Sequence, residues 1–187
     1  MELDSWAATQ RSWLDAAPNA KNYFLIGNHE DRLRRWLWKH PEVASLEALS
    51  LEKLFRFDEL NITMAGRGGQ EEVYFGKLLI THGSIVRKYS AYTAKGEAEL
   101  RRYAISTLSG HTHRGGCFCT TTREGIIQAV EGFCLCSLTP EYVRNPDWQN
   151  GLVLAEVDKE YVSFDMIPFH HKAGGISARW RGKEYKA

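Results

Sequence analysis

Apolar positions recur at helical spacing in the first stretch of the chain and then gather into short, dense runs. Between 5 and 17, Trp6, Gln10, Trp13, Leu14 and Ala17 fall on one stripe. This predicts a helix with Asp4 or Ser5 as its cap and Pro18-Asn19 as its stop. Tyr23 to Ile26 is a short β-rich run. From Asp31 to His40, Leu33, Trp36 and Leu37 share a helical face that ends at Pro41. Residues 45 to 57 read as one or two short helices. Residues 62 to 65 and 72 to 80 read as strands, with Arg67-Gly68-Gly69 as a turn between them. A helix over 92–103, with Leu100 and Tyr103 inward, leads to a strand over 105–109.

The pattern then changes. Residues 116–121, 126–130, 133–137, 151–157 and 160–167 alternate apolar and polar, and Arg123-Glu124-Gly125 and Asp158-Lys159 are good hairpin connections. Strand and helix alternate in the front half, and the back half is antiparallel. The fold class expected is α/β of the α+β kind.

Composition narrows the field. The 187 residues, 43% of them apolar, make one domain's length with ample core. We expect a single domain over 1–170 and a loosely attached C-terminal tail over 171–187. A net charge of +1 provides no field that points to nucleic acid or an anionic membrane. No run approaches the ~18–20 apolar residues of a membrane span, and no signal-peptide pattern opens the chain. Four cysteines without such a signal predict free thiols in a reducing, cytoplasmic setting.

The chemistry lies in three segments, each behind a strand-like run: Gly27-Asn28-His29-Glu30, Thr81-His82-Gly83 and Gly110-His111-Thr112-His113. Loops that leave the carboxyl ends of strands in an open α/β sheet gather at one rim, where ligands bind. Asn28 offers an amide oxygen, and His82 and His111 offer imidazole nitrogens. A mixed N/O set suits Mn, Fe, Zn or Ni better than an all-oxygen Ca or Mg site. Gly83 and Gly110 suit the tight backbone such loops need. Arg32 and Arg114 lie beside the motifs, either as planar donors for phosphate oxygens or, more simply, as solvated charges.

In order and spacing, these segments resemble the calcineurin-like metallophosphoesterase superfamily over roughly Ser5 to Phe169. The run Gly-Asn-His-Glu-Asp-Arg-Leu is closest to phage and bacterial versions. The resemblance implies a β-sandwich flanked by helices and a metal-dependent hydrolysis of phosphate mono- or diesters. It implies that Asn28, His82 and His111 bind one metal and that His113 belongs to a second. His29 would stabilise or protonate the leaving oxygen, oriented by Glu30, while a metal-activated water attacks phosphorus. Substrates of this scaffold include nucleotides and nucleic acid.

Two of the family's blocks, Asp-x-His and Gly-Asp-x-x-Asp, are absent from the 26 residues before Gly27. In the family these blocks supply the metal-bridging carboxylate, so one ion is expected here rather than two. Their strands build the centre of the first sheet, and a parallel crossover needs a dozen or more residues. The strand over 23–26 is therefore expected to present an unpaired edge or bare apolar face. An upstream segment, a homo-oligomer or partner chain, or a reduced form of the fold would account for it. The alternative function is an impaired remnant of such an enzyme that acts as a binding protein.

Cys117-Phe118-Cys119 and Cys134-Leu135-Cys136 place each pair on one strand face. Four sulfurs could collect around zinc if the strands were neighbours, but small core residues are the simpler expectation. His170-His171 is expected at the surface, and the six tryptophans in the core or on helix faces.

Overall fold

A computed structural model describes residues 2–65 and 72–186. The chain forms two compact units, Met1–Glu72 and Val73–Ala187. The expected turn at Arg67-Gly68-Gly69 and the loop over 66–71 lie outside the described residues.

In the first unit, helix α1 (Glu2–Ala16) begins before its expected cap, so Asp4 lies inside the helix and pairs with Arg56 at 2.6 Å. Strand β1 (Asn22–Leu25) follows, then α2 (Asn28–Lys39), α3 (Pro41–Ala44), a 3-10 turn (Glu47–Leu49), α4 (Leu51–Leu54) and β2 (Ile62–Ala65). Strands β1 and β2 pair in parallel, from Asn22 opposite Ile62 to Leu25 opposite Ala65. Among the described residues β1 has no other strand neighbour, so its other edge carries no paired strand there.

Aromatic rings fill the space beside this pair. Trp6 meets Phe55 edge-on at 4.9 Å, and Phe24 packs against Phe55 and Phe57 at 5.2 and 5.1 Å. Such pairs add about 0.5–1.5 kcal/mol each beyond the area they bury. The α1 stripe is rotated from the expected one: Ala7 is buried and Trp13 is exposed. Trp36 and Trp38 are also exposed and belong to the helix-face tryptophans, on α2, rather than to the core. The α2 position that is buried is Asp31, whose carboxylate meets Arg34 and Arg35, each at 2.5 Å.

The second unit holds two sheets. In the first, β3 (Glu72–Phe75) lies beside β4 (Leu78–Thr81), then β5 (Ser106–Ser109), β7 (Gly125–Gly132) and β6 (Gly115–Thr122). Strands β4, β5 and β7 run parallel, and β6 closes the edge as the antiparallel arm of a hairpin. The expected single strand over 72–80 is thus broken at Gly76, which has a positive φ of 55°. Helix α5 (Ser90–Leu100) covers one face. Its Ala94 and Ala98 are fully buried against Ala129, with Tyr103 and Phe118 packed around them. Leu100 was expected inward but is exposed.

The second sheet has the order β11 (Lys183–Lys186), β10 (Gly175–Trp180), β9 (Val162–Lys172) and β8 (Gly151–Val157). All its pairings are antiparallel. Within the stretch expected as a tail, residues 171–186 contribute the end of β9 and the β10–β11 hairpin. Residues 133–137 form no strand; Cys134 makes one isolated bridge to Asn150. No helix among the described residues is long and apolar enough to cross a membrane.

Candidate metal centre

Strands β4 and β5 are parallel neighbours in register, with Thr81 opposite Ser109. The residues just past their carboxyl ends therefore emerge side by side. His82 follows Thr81 directly, and His111 follows Ser109-Gly110. Their rings meet edge-on, with His82 Nε2 and His111 Nδ1 3.1 Å apart. Both are half-buried. Two nitrogens on one ion, at bonds of ~2.0–2.1 Å, lie about 2.9 Å apart at a right angle and about 3.3 Å apart at the tetrahedral angle. The observed separation falls inside that range, so the spacing suits a shared transition-metal ion; it is equally that of a hydrogen bond between the two nitrogens.

Buried carboxylates that carry no motif signature hold the two loops in place. Glu97 of α5 is 1% exposed, and its Oε1 accepts the backbone N–H groups of Ser84 and Ile85 at 2.7 Å each. Its Oε2 accepts from Arg101 at 2.7 Å. The backbone just beyond His82 is thus tied to the helix. On the other loop, Thr112 donates its hydroxyl to Glu131, a wholly buried residue of β7. Burial pushes the Glu131 carboxyl above its ordinary range, against the opposing pull of the Thr112 hydroxyl and the Arg114 charge.

Backbone conformation bears on the expected glycines. Gly83 has φ +89°, and a Cβ there would lie 3.2 Å from Ser109 Cβ, so glycine is required. Gly110 is different. It has no positive φ, and a Cβ would meet nothing closer than 3.5 Å. The turn is made instead by His111 and His113, at φ 72° and 62°. Non-glycine residues there are uncommon, and such strain concentrates at functional sites.

His113 turns away to a different company. Its ring nitrogen and the sulfurs of Cys134 and Cys136 all lie within 4.8 Å of one another, a group able to hold a metal ion. Burial first, then the neighbouring Cys136, push the Cys134 thiol up to about 11. The expectation that the cysteines are core residues is corrected: Cys117, Cys119 and Cys136 are exposed and Cys134 is half-buried. The first pair lies on β6 with its sulfurs 3.8 Å apart. The second pair lies on no strand, so four sulfurs are not gathered by neighbouring strands.

Arg114 is buried rather than solvated. It donates to the carbonyls of Lys88 and Arg87 at 3.1 and 2.9 Å and to the Thr93 hydroxyl at 2.9 Å, and it faces Glu131 at 3.7 Å. It fastens the loop before α5. Arg32 is exposed. His170-His171 lies on β9, where His171 Nε2 is 2.8 Å from Asn150 Oδ1.

In the first unit, Asn28, His29 and Glu30 form the first turn of α2, not a strand-end loop. Glu30 is third in the helix, and its carboxylate accepts the Gly27 N–H at 2.9 Å. This is the side-chain-to-cap half of a capping box, which stabilises a helix start. Adjacent helical residues do not face each other, so the orienting role expected of Glu30 toward His29 is replaced by a capping one. Asn28 and His29 are exposed.

Comparison with models of known protein families, with curated proteins and with solved structures finds no match to this chain. The site's own geometry and the three motif segments carry the functional reading.

Proposed function

We propose that the chain is a divalent-metal-dependent phosphoesterase of the calcineurin-like type. The observation that carries this reading is the 3.1 Å approach of His82 Nε2 to His111 Nδ1 at the carboxyl ends of two adjacent parallel strands. These two histidines are the nitrogen ligands, and Mn, Fe, Zn or Ni is the class of ion they suit. A bound divalent ion supplies polarisation of a phosphoryl oxygen and an acidified water as nucleophile. Glu97 and the Thr112–Glu131 pair hold the ligand loops in place. Asn28 as an oxygen ligand and His29 as the group at the leaving oxygen rest on the resemblance alone.

One ion per catalytic centre fits the donor set better than two, because His113 sits with two sulfurs. The four free thiols fit a cytoplasmic setting. The substrate is a phosphoester, with nucleotides and nucleic acid among the candidates.

The test is hydrolysis of a chromogenic phosphodiester by the purified chain with Mn²⁺, beside His82→Ala and His111→Ala. Turnover that needs both the metal and these histidines supports the reading. Absent turnover overturns it and favours a binding protein on the remnant of an enzyme, and turnover unchanged in both variants overturns the assignment of these two histidines as the ligands.

A further inference from the structure

The His113, Cys134 and Cys136 group is separate from the histidine pair in donor chemistry. Sulfur and imidazole together select zinc-class ions, whereas Mg, Ca and Mn favour oxygen. The Cys136 Sγ to His113 Nδ1 distance is 3.8 Å. With metal–sulfur and metal–nitrogen bonds of ~2.3 and ~2.05 Å, two such ligands lie about 3.5 Å apart at the tetrahedral angle and about 3.8 Å apart at 120°. His113 and Cys136 already stand at a coordinating separation, and the Cys134 sulfur lies within 4.8 Å of both donor atoms.

The backbone around them is cross-tied, so that separation is held. Phe133, at φ 65°, turns the chain so that Cys134 and Cys136 follow. The Phe133 N–H donates to the Arg114 carbonyl at 2.9 Å, and the Gln149 N–H to the His113 carbonyl at 2.9 Å. Asn150 is 8% exposed, and its Nδ2 donates to the carbonyls of Cys134 and Cys136 at 3.1 and 2.9 Å and to Cys134 Sγ at 3.5 Å. His171 Nε2 meets the other end of the same amide. Outer partners of this kind orient metal ligands and strengthen binding. A buried amide that grips both cysteine carbonyls, and is itself gripped, is more than one half-buried and one exposed thiol need.

We infer that His113, Cys134 and Cys136 form a zinc site distinct from the His82–His111 centre, with three protein ligands and solvent in the fourth position. Each thiol gives its proton to solvent as its sulfur binds the ion, so one Zn²⁺ is taken up and two protons are released. The ion clamps the 133–136 loop to the turn that carries His113. This goes beyond the phosphoesterase reading and stands without it.

The probe is Zn²⁺ alone, with zinc measured per chain after gel filtration. Cys134→Ser with Cys136→Ser is expected to lose one equivalent. Cys117→Ser with Cys119→Ser, and separately His82→Ala, are expected to keep that equivalent. A second measurement needs no variant: alkylation of the native chain, read by mass spectrometry of each cysteine. Zn²⁺ should slow labelling of Cys134 and Cys136 by an order of magnitude or more, since a bound thiolate is withdrawn from reaction, and leave Cys117 and Cys119 unprotected. Full zinc content in the Cys134→Ser/Cys136→Ser chain, or equal labelling of Cys134 and Cys136 with and without Zn²⁺, would overturn the inference. Absence of hydrolysis by the native chain, with this zinc bound, would instead count against the phosphoesterase reading only.

Discussion

Replacing Glu97 by alanine isolates the contribution of the carboxylate behind the His82 loop. It removes the acceptor of the Ser84 and Ile85 N–H groups, both at 2.7 Å, and the partner of Arg101. A buried donor left unsatisfied costs about 1–3 kcal/mol, which sets an upper range of roughly 2–6 kcal/mol for the two amides, reduced where water reaches the exposed Ser84. The Arg101 side chain is 16% exposed and recovers part of its loss from water. The expected destabilisation is therefore about 3–5 kcal/mol, in the range for breaking a buried pair. For a chain of this size that corresponds to a fall in Tm of roughly 6–20 °C. Glu97→Gln keeps an oxygen for the amides but turns an N–H₂ toward Arg101, and should cost less than alanine. Arg101→Ala leaves the two amides satisfied and should also cost less. Urea unfolding of the three variants measures the order, and the Mn²⁺ concentration for half-maximal hydrolysis should rise most in Glu97→Ala. Unfolding of Glu97→Ala within ~1 kcal/mol of the parent would refute the reasoning, because the amides would then have found water without penalty.

The Glu131 carboxyl is raised in the folded chain from an ordinary value of 4.5, chiefly by burial. The folded state therefore keeps its proton to higher pH than the unfolded state, and ionisation costs stability as pH climbs past 4.5 through the raised value. Glu131→Gln should thus gain in Tm relative to the parent from pH 4.5 to pH 7.5; a flat or opposite difference in paired melts would contradict the burial argument. A Cβ at Gly115 would lie 1.9 Å from the Phe133 ring. Gly115→Ala should therefore lose about 1–3 kcal/mol by overpacking in urea unfolding. Phe57 is 3% exposed within the aromatic cluster of the first unit. Phe57→Ala should cost about 3–5 kcal/mol, and retention of the parent's unfolding midpoint would exclude it from the core.

Strands β1, β2, β4 and β5 were legible because each is a short apolar run bounded by turn residues, and the β6–β7 and β8–β9 hairpins because Arg123-Glu124 and Asp158-Lys159 punctuate them. What alternation could not show is where the backbone partners go. Residues 133–137 alternate as a strand does. Yet the carbonyls of Cys134 and Cys136 are taken by the Asn150 side chain, and Phe133 at φ 65° breaks the extended course. The opposite error hid β11. Lys183–Lys186 is exposed along its whole length, with no apolar face to read, and it is a strand because its backbone pairs with β10.

The same distinction divides the site. His82 and His111 were readable as partners because only strand adjacency is needed to bring them together. His113 was not, because two left-handed residues in three send it the other way. The signal that could have found its new partners was Cys134-x-Cys136, read with a histidine rather than with the other cysteine pair. The consequence is chemical. Two imidazoles at His82 and His111 leave the remaining positions of an ion to oxygen donors, which Mn²⁺ favours, while thiols at Cys134 and Cys136 discriminate against it. Mn²⁺ at a concentration that saturates hydrolysis should therefore leave both cysteines open to alkylation, whereas Zn²⁺ should close them. Protection of Cys134 and Cys136 by Mn²⁺ would mean that one centre, not two, spans the Gly110–His113 turn.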